Sequence, residues 1–231
     1  MDEVRHDQGN SELLSIASHE LRGPMTVIKG YLTMLESGAF GEIGEKARSV
    51  LPLLITKSDE VNWLIDQMIE TARLEEDRLE LKKRESDLLE LTESAIAGMR
   101  LLMADREVRL DEPSDPVHAD VDPERVQLVI RNLLSNAANY SSSGTKIAVR
   151  VHRDQDFGFV SVADQGPGIA PEDQDRLFTR RVRASGVRQV NGMGVGLWLS
   201  REIARRHGGD LTLRSGPDVG TTFALAVPLK S

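Results

Sequence analysis

The sequence predicts an α+β protein of two unlike parts. An antiparallel helical hairpin that forms a dimeric four-helix bundle comes first, and a two-layer α/β sandwich follows. Apolar residues near the N-terminus recur every seven positions, which marks a helix buried along one stripe. A glycine-rich segment at 37–44 separates that run from a second one of the same kind. Beyond about residue 78, alternating strand patterns mix with helical ones without a regular βαβ order. The expected division is therefore 1–77 and 78–231.

The first helix is expected from about 10 to 37, with Leu14, Leu21, Ile28 and Leu35 in register and Ala17, Pro24 and Tyr31 beside them. Gly38, Gly41 and Gly44 stop it. A second helix runs to about Arg73, its stripe formed by Leu51, Leu54, Val61, Ile65, Met68 and Ala72, with Ser58 as its polar member. Pro52 marks a kink or a late start in that helix. Two such stripes cannot close a core alone, so burial calls for a second copy.

Leu74–Arg78 reads as a polar hinge. A strand is expected over 78–86, helices over 87–105 and 123–140, and strands over Lys146–Val151 and Phe157–Asp164. A glycine-rich stretch fills 165–194, and a helix then runs to about His207. Leu211–Arg214 and Thr221–Leu229 close a hairpin around Ser215–Asp218.

A formal charge of −8 lacks the basic face of a nucleic-acid binder. The absence of cysteine excludes disulfides, thiol nucleophiles and thiolate zinc sites. No apolar run approaches the roughly 18 residues of a membrane span. No membrane contact is expected within this chain, and a cytoplasmic location is expected, whatever a longer parent carries upstream.

Four blocks carry chemistry. His19 lies five residues after Leu14, about 140° around the helix and on its solvent side; Glu20 follows it, and Pro24 interrupts the same helix. Asn132, Asn136 and Asn139 share one face of the 123–140 helix. Their carboxamides suit a hard cation or phosphate, or equally a buried amide network. Asp164-Gln165-Gly166-Pro167-Gly168 follows a strand, placing an acid where an amine is bound closely or where a plain turn is made. Gly192-Met193-Gly194-Val195-Gly196-Leu197 opens a helix whose free N–H groups face an anion. This last block is neither a dinucleotide fingerprint nor a P-loop.

In this order and spacing the four blocks resemble the histidine protein kinases of two-component signalling, over about residues 10–229. The resemblance implies a dimerisation and phosphoacceptor hairpin followed by an ATP-binding domain of the gyrase-like sandwich fold. It implies His19 as phosphoacceptor nucleophile and Glu20 as the group that polarises it. Asn136 would coordinate Mg²⁺ bridging the ATP phosphates, with Asn132, Asn139 and Tyr140 in the same nucleotide-binding stretch. Asp164 would take the adenine amine, with Thr222 acting through water, and Gly166 and Gly168 would shape the pocket. Gly192, Gly194, Gly196 and Leu197 would end a mobile lid spanning about 169–191. His207 would be structural. The implied partners are a second copy of the chain and the aspartate of a response regulator receiver domain.

Three positions depart from the family pattern. Gly23 replaces the threonine that positions water for dephosphorylating the regulator, so weak or absent phosphatase activity is expected. Asn139 stands where a lysine or arginine contacts phosphate. In the segment Leu177–Arg183, Phe178 survives but Arg181 replaces a second aromatic. Two other functions compete: an ATP-hydrolysing clamp, for which Glu124 is badly placed two turns before Asn132, and a non-enzymatic dimerising scaffold.

Overall fold

In the computed structural model the described residues are 20–179, 194–216 and 219–230. The chain divides into two compact units, Met1–Glu80 and Leu81–Ser231.

The first unit is a helical hairpin of α1 (residues 20–36) and α2 (Glu45–Glu75). Its antiparallel sense is read from two ion pairs: Arg22 meets Asp66 at 2.5 Å and Lys29 meets Asp59 at 2.6 Å. Each step forward of two turns on α1 is a step back of two turns on α2. Gly38 ends α1 in the left-handed conformation at φ 77°, and the Ala39 N–H closes onto the Met34 carbonyl. Both helices continue through their prolines, Pro24 in α1 and Pro52 in α2. Pro52 and Arg48 are exposed, so the carbonyl that Pro52 leaves unbonded stands on the solvent side. The part of the first helix expected over 10–19 lies outside the described residues.

The apolar stripe of α2 differs from the expected one. Leu51, Ile55, Ser58, Ile65, Ile69 and Ala72 are buried, whereas Leu54 and Val61 are 46% and 40% exposed. On α1, Leu21, Ile28, Tyr31 and Met34 are exposed as well. One stripe read from spacing is thus two adjacent faces. Only one of them is covered within the single chain.

The second unit is a two-layer sandwich. Its elements are β1 (Arg84–Asp87), α3 (Leu88–Met99), β2 (Glu107–Asp111), β3 (His118–Val121), α4 (Pro123–Tyr140), β4 (Lys146–Asp154) and β5 (Phe157–Asp164). Then come α5 (Pro171–Gln174), a 3₁₀ turn (Asp175–Phe178), α6 (Gly196–Arg206), β6 (Asp210–Gly216) and β7 (Gly220–Pro228). The main sheet has the order β2-β4-β5-β7-β6, antiparallel except for the parallel pair β2 and β4; β1 and β3 form a separate ribbon. Alternate residues Ile147, Val149, Val151, Val160, Val162, Phe223, Leu225 and Val227 are buried. They build one layer of the core with Leu88, Ile130, Leu133, Leu134, Leu199 and Ile203 of the helices.

Three expectations in this unit are corrected. The strand expected over 78–86 is confined to Arg84–Asp87, because only that stretch finds a partner, in β3. The helix expected to 105 ends at Met99, just after Gly98, and passes into tight turns through Arg106. The interval 106–122, for which no element is expected, supplies β2 and β3. β2 exists because β4 offers it a parallel edge, a pairing that local pattern does not contain.

One buried cluster locks α4 to α6. Asp122 caps α4, its Oδ1 accepting from the Arg125 N–H at 3.2 Å. Its Oδ2 accepts from the Lys82 N–H and the Arg125 guanidinium, both at 2.9 Å. The Asp122 N–H donates to His207 Nε2 at 2.9 Å, and His207 Nδ1 faces the Ile203 carbonyl at 2.8 Å. The pairing requires a neutral imidazole with its proton on Nδ1. Burial holds the His207 pKa below its ordinary value. His207 is structural in this arrangement, with no part of it turned to solvent beyond 3%.

Candidate nucleotide site

Asp164 ends β5, paired with Ile147 on one side and Thr221 on the other. It is 9% exposed, and its Oδ1 accepts the Gly166 N–H at 2.7 Å. Burial raises its pKa, and the N–H groups of Gly166 and Thr221 oppose that rise. Two glycines make its surroundings possible. A Cβ on Gly166 would stand 2.8 Å from Asp164 Oδ1 and from the Tyr140 carbonyl. A Cβ on Gly220, where φ is 85°, would stand 2.1 Å from the Asp164 carbonyl. Gly168 also takes a positive φ, 77°. The backbone passes so close to Asp164 here that positions 166 and 220 have no room for a side chain.

The register corrects one candidate. Thr222 pairs with Ala163 and points to the other face of β7, so it does not share a face with Asp164. Thr221 does, and it is buried. Its hydroxyl lies 2.9 Å from Ser215 Oγ, which also bonds the Gly220 carbonyl and the Ile169 N–H, both at 2.9 Å. Gln174 Nε2 donates to the carbonyls of Ile169 and Ser215 at 3.0 and 3.1 Å. These contacts fasten the 165–169 loop to the β6–β7 hairpin. Thr221 and Ser215 are the residues the motifs missed; strict alternation from Phe223, a core residue, was the signal available for Thr221.

The asparagine row on α4 changes character along its length. Asn132 is 4% exposed and donates to Ser200 Oγ of α6 at 3.0 Å. Asn136, one turn on, is half-buried. Asn139 and Tyr140 are exposed, and Asn139 Nδ2 donates to Ser135 Oγ at 3.2 Å. Asn136 and Asn139 are therefore the open end of the row.

α6 begins at Gly196, preceded by Gly194 at φ 68°, and among the described residues no side chain caps its N-terminus. Leu197 lies in its first turn, half-buried. Arg201 of α6 is a brace: it grips Asp210 with Nε at 2.8 Å and Nη2 at 3.1 Å, and its guanidinium lies 4.6 Å from the Phe178 ring centre. Phe178 in turn meets the edge of Phe223 at 6.4 Å. Gly192, the 180–191 part of the expected lid and the Arg180–Arg183 charge run lie outside the described residues, as does His19. The earlier part of that stretch holds α5 and the 3₁₀ turn. Glu20 is exposed on α1.

Among the described residues no group of three His, Asp or Glu side chains is placed to hold a metal ion. No helix there is long and apolar enough to cross a membrane.

A buried acid at a strand end, glycine-lined, beside an asparagine-bearing helix defines the sandwich ATPase class. Residues 121–231 match the family model described as "Histidine kinase-, DNA gyrase B-, and HSP90-like ATPase", and residues 10–77 match "His Kinase A (phospho-acceptor) domain". Together these matches cover most of the chain, which belongs to the histidine kinases as a catalytic core. Histidine protein kinase DivJ of Caulobacter vibrioides is 30% identical over 99% of this chain, which spans 40% of that relative's length. The solved structure of the mycobacterial sensor histidine kinase MprB, 26% identical, covers 64% of this chain and 99% of its own at TM-score 0.59. That of full-length ShkA in complex with AMPPNP covers 95% of this chain and 46% of its own at TM-score 0.67 and 24% identity, a likeness of fold.

Proposed function

We propose that this chain transfers the γ-phosphoryl group of ATP to His19 and then to an aspartate of a response regulator receiver domain, acting as a homodimer. The observation that carries the ATP reading is Asp164, held by Gly166 and Gly220 in a setting that leaves a carboxylate oxygen for an exocyclic amine. Thr221 supplies a hydroxyl on the same side. Asn136 and Asn139 stand at the open end of their row, and the α6 N-terminus offers amides to phosphate.

The donor set fits magnesium only in company with nucleotide, since one carboxamide needs phosphate oxygens and water to complete an octahedral shell. Asn136 would hold that ion, which neutralises phosphate charge when bound. The protein's own task is positioning: Asp164 and Thr221 orient the base, and α6 orients the phosphates. Glu20 follows His19 directly and is the group in line to accept a proton from the attacking imidazole. The exposed Leu21, Ile28, Tyr31, Leu54 and Val61 supply the apolar face on which a second copy packs. A cytoplasmic site of action follows from the need for ATP.

Incubation with Mg²⁺ and γ-labelled ATP tests this reading. Acid-labile, alkali-stable label is expected on the wild type and absent from His19→Gln. Nucleotide binding without label on His19 would refute it.

A further inference from the structure

Asn132 belongs to the asparagine row but not to its open end. Its carboxamide is buried at 4% exposure and its hydrogen bond runs to Ser200, itself 2% exposed. The backbone of α6 presses on the same group: a Cβ added to Gly196 would stand 2.4 Å from Asn132 Oδ1. A buried amide must be paired to avoid a desolvation penalty, and an apolar side chain would pack there without that demand. What the amide–hydroxyl pair adds is direction. The bond forms at one rotational setting of α6 on α4, whereas apolar packing tolerates several.

That setting matters because the N-cap position of α6 is Val195, whose side chain cannot cap the helix. Its first amides point wherever the helix is seated, and the seat lies one turn from Asn136. We propose that Asn132 and Ser200 form a buried catch that holds the N-terminal turn of α6 in its phosphate-facing position, with Asn132 a positioning residue that does not touch nucleotide. The close pass of Gly196 is part of the catch. This inference rests on the nucleotide reading above.

The test uses the full chain with Ser200→Ala, Asn132→Ala, the double variant and Ser200→Thr. Calorimetry reads Mg·ADP affinity, and amide hydrogen exchange over 196–200 is followed without nucleotide. Each alanine variant is expected to weaken Mg·ADP about tenfold and to speed exchange in the first turn of α6. The double variant is expected to be no worse than either single, and Ser200→Thr, which keeps the hydroxyl, to bind within about threefold of wild type. Should Asn132→Ala not fold, Ser200→Ala with its threonine control decides the matter alone. Loss of affinity in Asn132→Ala with wild-type binding in Ser200→Ala would overturn the catch and make Asn132 a direct ligand. Additive losses in the double variant would overturn it too. A wild type that fails to bind Mg·ADP removes the nucleotide reading and the catch together; a wild type that binds beside an unaltered Ser200→Ala removes only the catch.

Discussion

Replacing Asp164 by Asn separates its two jobs. The carboxamide is nearly isosteric, so its oxygen keeps the bond from the Gly166 N–H, now 2.7 Å from Oδ1. The other carboxylate oxygen becomes an NH₂ group, which cannot accept from an exocyclic amine. Hydrogen bonds to a charged acceptor contribute about 1.5–3 kcal/mol, which is about 10- to 150-fold in Kd. Folding responds in the opposite sense. Burial raises the Asp164 pKa above its ordinary 3.8, so the folded chain holds this proton more tightly than the unfolded chain does. Ionisation therefore costs stability as pH rises from 3.8 through the raised folded pKa. Asn carries no such cost. At pH 7 calorimetry should show ADP affinity falling about 10- to 150-fold while the thermal midpoint holds or rises. Unchanged affinity would remove Asp164 from the site; a falling midpoint would show that its charge supports the fold.

Two further outcomes are expected. Burial depresses the His207 pKa, so the unfolded chain binds the extra proton first as pH falls below the ordinary 6.5. Stability contributed by neutral His207 is full above that value and is lost as pH drops through the folded pKa. Urea midpoints should fall across this window and fall less steeply in His207→Gln; His152, also depressed by burial, accounts for part of the slope that persists. For the regulator, decay of its phosphorylated form in the presence of this chain and ADP should be slow. Gly23→Thr should accelerate it: a Cβ at Gly23 meets nothing within 4 Å, so the change is tolerated. Fast decay with the wild type would refute the role assigned to the missing threonine.

Where a feature depends on neighbours in the chain, the sequence carried it. The hairpin, the 123–140 helix, and the hairpin strands β4 and β5 follow from period and turn residues within about twenty positions. Each of the four motif blocks is likewise a short run of near neighbours in the chain. Asp164 was legible because an acid at the end of a strand and before glycines is written in consecutive residues.

Where a feature depends on which surface covers which, only the tertiary structure decided it. Thr221 and Thr222 are adjacent and chemically equal, and the β5–β7 register alone turns Thr221 toward Asp164. The three asparagines lie on one stripe of α4, yet α6 buries the first and leaves the third exposed. β2 is a strand because a parallel partner lies beside it. The α2 stripe divides into one face buried within the hairpin and one left exposed. Periodicity assigns a residue to a side of its own element; it holds no information about what stands opposite that side, and burial, pairing and the pKa of Asp164 are all consequences of what stands there.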